Sequence, residues 1–159
     1  MATTTKKSTS KSTAAKKTVT PKTAAKTSTS TGISVTGNKK IETLKKEFNK
    51  KFPYLSITIA YSYAREAVAK GESIRDVPMD KTIAQVRRAD SGGTISIAGN
   101  KKIKSLEKEF DTVFGLYCQV CYTAANGKGY YTSGSNDEYT LSQFNEICEK
   151  NGCKKGAWK

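Results

Sequence analysis

Four cysteines in the second half of the chain have a spacing that could hold a metal ion. They follow the pattern C-x2-C-x26-C-x4-C, and the residues are Cys118, Cys121, Cys148 and Cys153. Four thiolates suit a tetrahedral zinc ion, so a structural zinc site is one interpretation, and a disulfide or free thiols are the others. We favour free thiols, because Cys118 and Cys121 fall in a predicted strand, where a separation of three residues sends side chains to opposite faces.

Two lysine pairs precede predicted helices and suggest a second chemistry, the binding of phosphate. The pairs are Lys39-Lys40 and Lys101-Lys102. The N-terminus of a helix presents amides without partners and the positive end of the helix dipole, which together attract anions. A lysine pair opposes that dipole, so helix propensity alone does not explain it. We predict that these lysines contact phosphates, the alternative being an ordinary solvated helix face.

Residues 1–32 form a separate and strongly basic segment. It contains seven lysines and no acidic residue, which is half of the net charge of +14. Its threonine, lysine, serine and alanine cannot bury enough apolar surface to offset chain entropy, so we predict a disordered tail. Ammonium groups spaced along a flexible chain would neutralise nucleic-acid phosphates with little regard to sequence. The lysines concerned are Lys6, Lys7, Lys11, Lys16, Lys17, Lys22 and Lys26.

The composition of this tail resembles the lysine- and alanine-rich tails of linker-histone-like proteins and of some bacterial nucleoid proteins. Thr20-Pro21-Lys22 is a partial match to the Ser/Thr-Pro-Lys-Lys element of such tails. The resemblance implies DNA as a partner and a place in the nucleoid. A solubilising tail and an organelle transit peptide are the alternatives, although the segment lacks the arginines of transit peptides.

The elements that must position these residues occur twice along the chain. Residues 33–52 and 95–114, which lie 62 residues apart, are identical at 12 of 20 positions. Each copy predicts a short strand, a Gly-Asn break and an amphipathic helix. The shared Gly-Asn-Lys-Lys-Ile pattern is similar to that of uncharacterised small tandem-repeat bacterial proteins. This resemblance covers residues 33–122 and implies an architecture without an activity.

Each copy continues with further predicted elements. A longer strand follows the helix, and a third strand is predicted at Ser73–Val77 in copy one and around Tyr130 in copy two. A helix at residues 63–70 belongs to copy one alone. Both copies end with a helix that opens on a threonine–glutamine capping box. The predicted fold is α+β, with two tandem β-α-β-β-α repeats whose helices pack on an antiparallel or mixed sheet.

These repeats define the predicted domains. Repeat 1 spans residues 33–94 and repeat 2 spans residues 95–159, after the tail at 1–32. The strand at 95–98 could also complete repeat 1 in the ferredoxin-like order. In repeat 2, Lys128-Gly129-Tyr130-Tyr131 resembles the start of the RNP1 element of RNA-recognition motifs, whose aromatic side chains stack on bases. A hairpin with cross-strand tyrosines is the favoured interpretation.

Several classes of function lack the residues they need. The chain has no histidine, no P-loop and no dinucleotide-binding glycine motif, so we predict that it is not an enzyme. No segment has the roughly 18–20 apolar residues that cross a bilayer. The N-terminal lysines precede no apolar segment, so we expect no secretory signal and no membrane partner.

The sequence therefore predicts a non-enzymatic, largely sequence-nonspecific nucleic-acid-binding protein of the cytoplasm, with DNA as the expected partner. The alternative is a structural or protein-interaction module of a mobile element or virion, with a protein partner or a second copy of the chain. In that case the basic tail would serve solubility.

Overall fold

The computed structural model describes residues 31–90 and 92–156, and the predicted tail lysines lie outside these ranges. The described chain is mixed α+β, which confirms the predicted class. Its elements in order are β1 (Ile33–Val35), α1 (Ile41–Lys51), β2 (Ser56–Tyr61), α2 (Ala64–Ala69), α3 (Ile83–Val86), β3 (Ile95–Ile97), α4 (Ile103–Phe114), β4 (Leu116–Thr123), β5 (Gly129–Tyr131), a short 3-10 helix (Gly134–Glu138) and α5 (Leu141–Lys150).

Helices α1 and α4 carry their apolar residues on one face, and that face is buried. The residues are Ile41, Leu44 and Phe48 in α1, and Ile103, Leu106, Phe110 and Phe114 in α4. They join the strands in one hydrophobic cluster drawn from both sequence copies. Burying each large apolar side chain contributes about 1.5–3 kcal/mol, so the core depends on both copies being present.

Two antiparallel sheets form, and each joins the first copy to the second. Strand β1 pairs with β3, with Ser34 opposite Ser96 at the centre. Strand β2 pairs with β4, which pairs on its other side with β5. The ferredoxin-like order is wrong, because β1 and β3 form a sheet of their own and do not join β2 in one sheet.

A shorter turn in the second copy changes which strand residues correspond. Helix α1 leads to β2 through Phe-Pro-Tyr-Leu, and the matching segment of copy two, Phe-Gly-Leu, is one residue shorter, with its phenylalanine ending α4 and its leucine beginning β4. Gly115 makes the shorter turn with φ of +62°, and a β-carbon there would lie 2.8 Å from the Ala89 nitrogen. The offset therefore falls by one residue, and Thr58 lies opposite its counterpart Gln119 at the centre of the β2–β4 ladder.

The strand predicted at Ser73–Val77 does not form, although α2 lies where a helix was predicted. A carboxylate takes the place of a strand partner, since Asp76 Oδ1 accepts a 2.8 Å hydrogen bond from the Ile59 amide. Val77 then makes one backbone bond, donating to the Ile59 carbonyl at 2.7 Å. Pro78 follows and has no amide with which to continue a ladder.

The helices α3 and α5 begin as predicted. Both open with a threonine–glutamine capping box. In α5, Thr140 Oγ1 accepts from the Gln143 amide at 3.3 Å, and Gln143 Oε1 accepts from the Thr140 amide at 3.0 Å. In α3, Gln85 Oε1 accepts from the Thr82 amide at 2.9 Å.

Candidate nucleic-acid interface

The first lysine of each predicted phosphate-binding pair is held in an ion pair. Lys39 pairs with Glu47 and Lys101 pairs with Glu109, and both lysine side chains are only 17% exposed. Each pair fastens the Gly-Asn-Lys-Lys break to the body of the following helix. These two ammonium groups are therefore committed to intramolecular partners in both copies.

The first amide of α4 and the first two amides of α1 also have backbone partners. The Ile41 amide donates to the Lys81 carbonyl at 3.0 Å, and the Glu42 amide donates to the Met79 carbonyl at 3.0 Å. In α4 the Ile103 amide donates to the Tyr139 carbonyl at 3.0 Å. The loop that precedes the capping-box helix thus covers each helix start, where the sequence suggested amides without partners.

The second lysine of each pair is the residue that immediately precedes the helix. Lys102 has extended backbone and lies 3.1 Å from the Glu138 carboxylate. Lys40 is exposed and makes no ion pair with any residue that the structure describes. Phosphate binding by the four lysines stays a prediction, and the arrangement favours Lys40 over the other three.

A groove of about 710 Å³ lies where the tail joins the described chain. It is lined by Thr31, Gly32, Ile33, Ser34, Lys39, Glu47, Lys50 and Lys51. Two of these lysines, Lys50 and Lys51, come from the last turn of α1. Because Lys39 and Glu47 neutralise each other, these two lysines leave the groove with an excess of positive charge. We call it the tail-side groove.

The tail-side groove is fixed to the root of the tail by a direct contact. Lys51 Nζ donates to the Thr31 carbonyl at 2.7 Å, while Lys50 beside it is exposed. The last tail lysine, Lys26, precedes Thr31 by five positions in the sequence. The groove therefore lies at the residue where the described chain begins.

The corresponding surface of the second copy lacks the two groove lysines. Thr112 and Val113 occupy the positions of the two groove lysines, and Gly93 occupies that of Thr31. A β-carbon on Gly93 would lie 2.9 Å from Val113 Cγ1, so the chain passes close to the helix there without a lysine, and the glycine leaves room for the valine. Lysines in a last turn do suit the helix dipole, but α4 ends without them. The fold therefore does not require the positive charge of this groove.

No family model, curated protein or solved structure matches the chain. Within residues 31–90 and 92–156, no helix is both long and apolar enough to cross a membrane.

The four cysteines do not meet in one place. On β4, Cys118 faces the core, opposite Ile59, whereas Cys121 points to the other face, where its sulfur lies 3.8 Å from Thr58 Oγ1. Cys148 and Cys153 lie together at the end of α5, where the Cys153 amide donates to the Cys148 carbonyl at 2.9 Å. All four are free thiols, and the described residues contain no cluster of three or more metal-ligating side chains.

A carboxyl that the sequence reasoning missed lies against the larger sheet. Glu107 Oε1 accepts from Gln119 Nε2 at 2.8 Å and from the Val120 amide at 3.0 Å. Burial raises the pKa of Glu107 to about 8, and the nearby Asp137 carboxylate adds to this effect. The hydrogen bond from the Val120 amide works in the opposite direction. The Glu107 carboxyl is therefore largely protonated at pH 7.

The surroundings of Glu107 form a polar cavity of about 400 Å³. Its lining residues are Arg65, Lys104, Glu107, Lys108, Asp111, Tyr117, Cys118 and Gln119. Burial holds the pKa of Cys118 well above its usual range, so this thiol is not an activated nucleophile. The sequence did contain a hint of the special role of Glu107, because the two copies carry opposite charges at this position, with Lys45 in copy one.

The same amide position is satisfied differently in copy one. Lys45 forms an ion pair with Asp76, and Asp76 accepts from the Ile59 amide as Glu107 accepts from that of Val120. In copy one a lysine holds the carboxylate that binds this amide, whereas in copy two a glutamate stands at the position of that lysine and binds the amide directly.

Proposed function

We propose that the protein is a non-enzymatic, largely sequence-nonspecific nucleic-acid-binding protein with DNA as its ligand. Its phosphate contacts come from the lysine tail together with Lys50 and Lys51 of the tail-side groove. The observation that carries the proposal is the contact of Lys51 with Thr31, which places the root of a tail with seven lysines against a basic groove.

Electrostatics support this choice of ligand. The tail holds seven lysines without an acidic residue, and the second copy replaces both groove lysines by uncharged residues. Cations concentrated at one end of a molecule suit a polyanion and give a sequence-independent affinity. Nine phosphate contacts on duplex DNA would give a slope of log K against log salt of about −8.

The proposal includes a tandem arrangement of two related β-α-β-β-α units that share both sheets. Its support is that corresponding residues meet at the centre of each ladder, Ser34 with Ser96 and Thr58 with Gln119. The third strand is replaced in the first unit by Asp76 and Val77. In this arrangement the core presents the tail-side groove at one end only.

A salt titration of duplex binding tests the function. Fluorescence anisotropy with the full chain is expected to show binding at ~50 mM salt and a log–log slope of about −8. Absence of binding at that salt would end the proposal. Co-purification of a single protein, unaffected by nuclease, would instead favour the structural or protein-interaction alternative.

The groove is tested by giving copy one the residues of copy two. The double variant Lys50→Thr/Lys51→Val should lower the slope to about −6, because two phosphate contacts are lost. The control Lys108→Thr/Lys150→Thr removes two exposed lysines elsewhere and should keep the wild-type slope. Equal slopes for the two double variants would show that the groove makes no special contribution.

A further inference from the structure

Two exposed tyrosines lie stacked on half-buried tyrosines near opposite ends of the β2–β4 ladder. Tyr63 stacks on Tyr61 with ring centroids 5.8 Å apart and a 29° interplanar angle. Tyr130 stacks on Tyr122 at 5.7 Å and 28°. The outer rings are 75% exposed for Tyr63 and 42% exposed for Tyr130. With the one-residue shift of the strands, Tyr61 and Tyr122 are counterparts, whereas the outer rings come from different segments, since Ala124 is the counterpart of Tyr63 and Tyr130 belongs to β5.

Positive charge accompanies both tyrosine pairs. The Arg88 guanidinium lies 4.7 Å from the centroid of the Tyr61 ring. Arg88 is exposed and has no ion pair with any residue in 31–90 or 92–156. At the other end, exposed Lys128 precedes β5, and the Lys154 amide donates to the Thr123 carbonyl at 2.8 Å. Phosphates placed beside either pair would therefore meet a cation.

The spacing of the pairs fits an extended polymer. Tyr61 lies opposite Leu116, and Tyr122 is six residues farther along β4. At about 3.3 Å per residue, the two half-buried rings are roughly 20 Å apart. Both rings lie on the face of the sheet that packs against the core, with buried residues between them. A chain that presents several flat groups, with a charge between each, would therefore reach the two platforms around the edge of the sheet.

Only one class of nucleic acid presents such groups. In a duplex the base faces are stacked on each other, whereas a single strand exposes them. Aromatic side chains combined with cations are the usual means of binding single strands, and each stacked base contributes about 1–3 kcal/mol. We infer that the folded core binds single-stranded nucleic acid by stacking bases on Tyr63 and Tyr130, with Arg88, Lys128 and Lys154 near the phosphates. This inference rests on the proposed function and adds a single-stranded ligand for the folded core.

The test uses the full chain with a thymidine oligonucleotide and a duplex of equal charge, both fluorescently labelled. Tyr63→Ala and Tyr130→Ala should each weaken single-strand binding about tenfold and leave duplex binding unchanged. Tyr63→Phe and Tyr130→Phe keep the ring and should retain wild-type affinity. A 2-aminopurine base in the strand should lose fluorescence on binding to wild type and regain it with the alanine variants.

Tyr139 provides a matched control. It is 40% exposed and stacked on Phe144 at 6.2 Å, but it follows the acidic Asp137 and Glu138. Tyr139→Ala should leave single-strand affinity unchanged. If the Tyr63 and Tyr130 variants match wild type on the single strand while duplex binding persists, the inference is overturned and the proposed function stands. Equal losses on both ligands would also overturn it, and absence of all binding would overturn both.

Discussion

Replacing Glu107 by glutamine should stabilise the protein, and the gain should grow with pH. Glutamine keeps an Oε1 that can accept from the Val120 amide and from Gln119, as the carboxyl does now. What it removes is a negative charge that burial and Asp137 make unfavourable. The expected result is therefore a neutral substitution at low pH and a stabilising one at high pH.

The magnitude follows from the proton balance. The pKa of Glu107 is about 8 in the folded protein against an ordinary value of 4.5. Above pH 4.5 the unfolded chain loses this proton while the folded chain keeps it, so folding stability falls until the pH passes 8. At 1.36 kcal/mol per pH unit, the loss is about 3 kcal/mol at pH 7 and about 5 kcal/mol at pH 9. These are upper values, since Glu107 is only partly buried and retains contact with water.

Urea denaturation of the wild type and of Glu107→Gln at pH 5, 7 and 9 measures the effect. The difference in free energy of unfolding should be below about 1 kcal/mol at pH 5 and should increase to several kcal/mol at pH 9. Glu109→Gln on the same helix is the control. It removes a carboxylate that pairs with Lys101, so it should give no gain in stability. A Glu107→Gln difference that is constant from pH 5 to pH 9 would refute the reasoning.

Two further predictions concern the turn before β4 and the thiols. Gly115→Ala should cost more than 2 kcal/mol in urea denaturation, because it adds a contact of 2.8 Å with the Ala89 nitrogen to the strain of a φ of +62°. Gly127→Ala, at φ of +81° with nothing within 4 Å, should cost only about 1 kcal/mol. Equal costs for the two variants would contradict a role for the close contact at Gly115. Iodoacetamide at pH 8 should label Cys153 well before Cys148, because Cys148 is buried and its pKa is raised to about 12. Peptide mass spectrometry separates the two, and equal labelling would show that α5 opens in solution.

Local sequence patterns predicted most helices and strands of this fold, but they did not predict which strands pair across long stretches of sequence. The apolar spacing of α1 and α4 and the two capping boxes depend on residues within a few positions of one another. The pairing of β1 with β3 depends on residues 62 positions apart, and two three-residue strands carry no signal for it. The missing third strand of copy one depended on a single side chain, Asp76, which replaces a strand at the Ile59 amide.

The predicted phosphate site shows a similar limit. Lys39 and Glu47 are eight positions apart, which is not a neighbouring pair on a helix surface, so their ion pair could not be read from helical spacing. It forms because Lys39 belongs to the break before the helix and lies back along it. The groove lysines were missed for the opposite reason. They looked like ordinary last-turn lysines until the contact with Thr31 placed them beside the tail.

The two copies use the same helix position with and without a lysine. Lys51 and Val113 stand at the same position and contact the same preceding residue position, Thr31 in one copy and Gly93 in the other. In copy two the valine faces a glycine, and a β-carbon on that glycine would lie 2.9 Å from Val113 Cγ1, whereas Thr31 carries a β-carbon. Lys51→Val beside Thr31 therefore does not reproduce the contact of copy two, and its effect on folding has to be measured. Loss of nucleic-acid binding in Lys50→Thr/Lys51→Val with an unchanged free energy of unfolding would report on the ligand and not on the core.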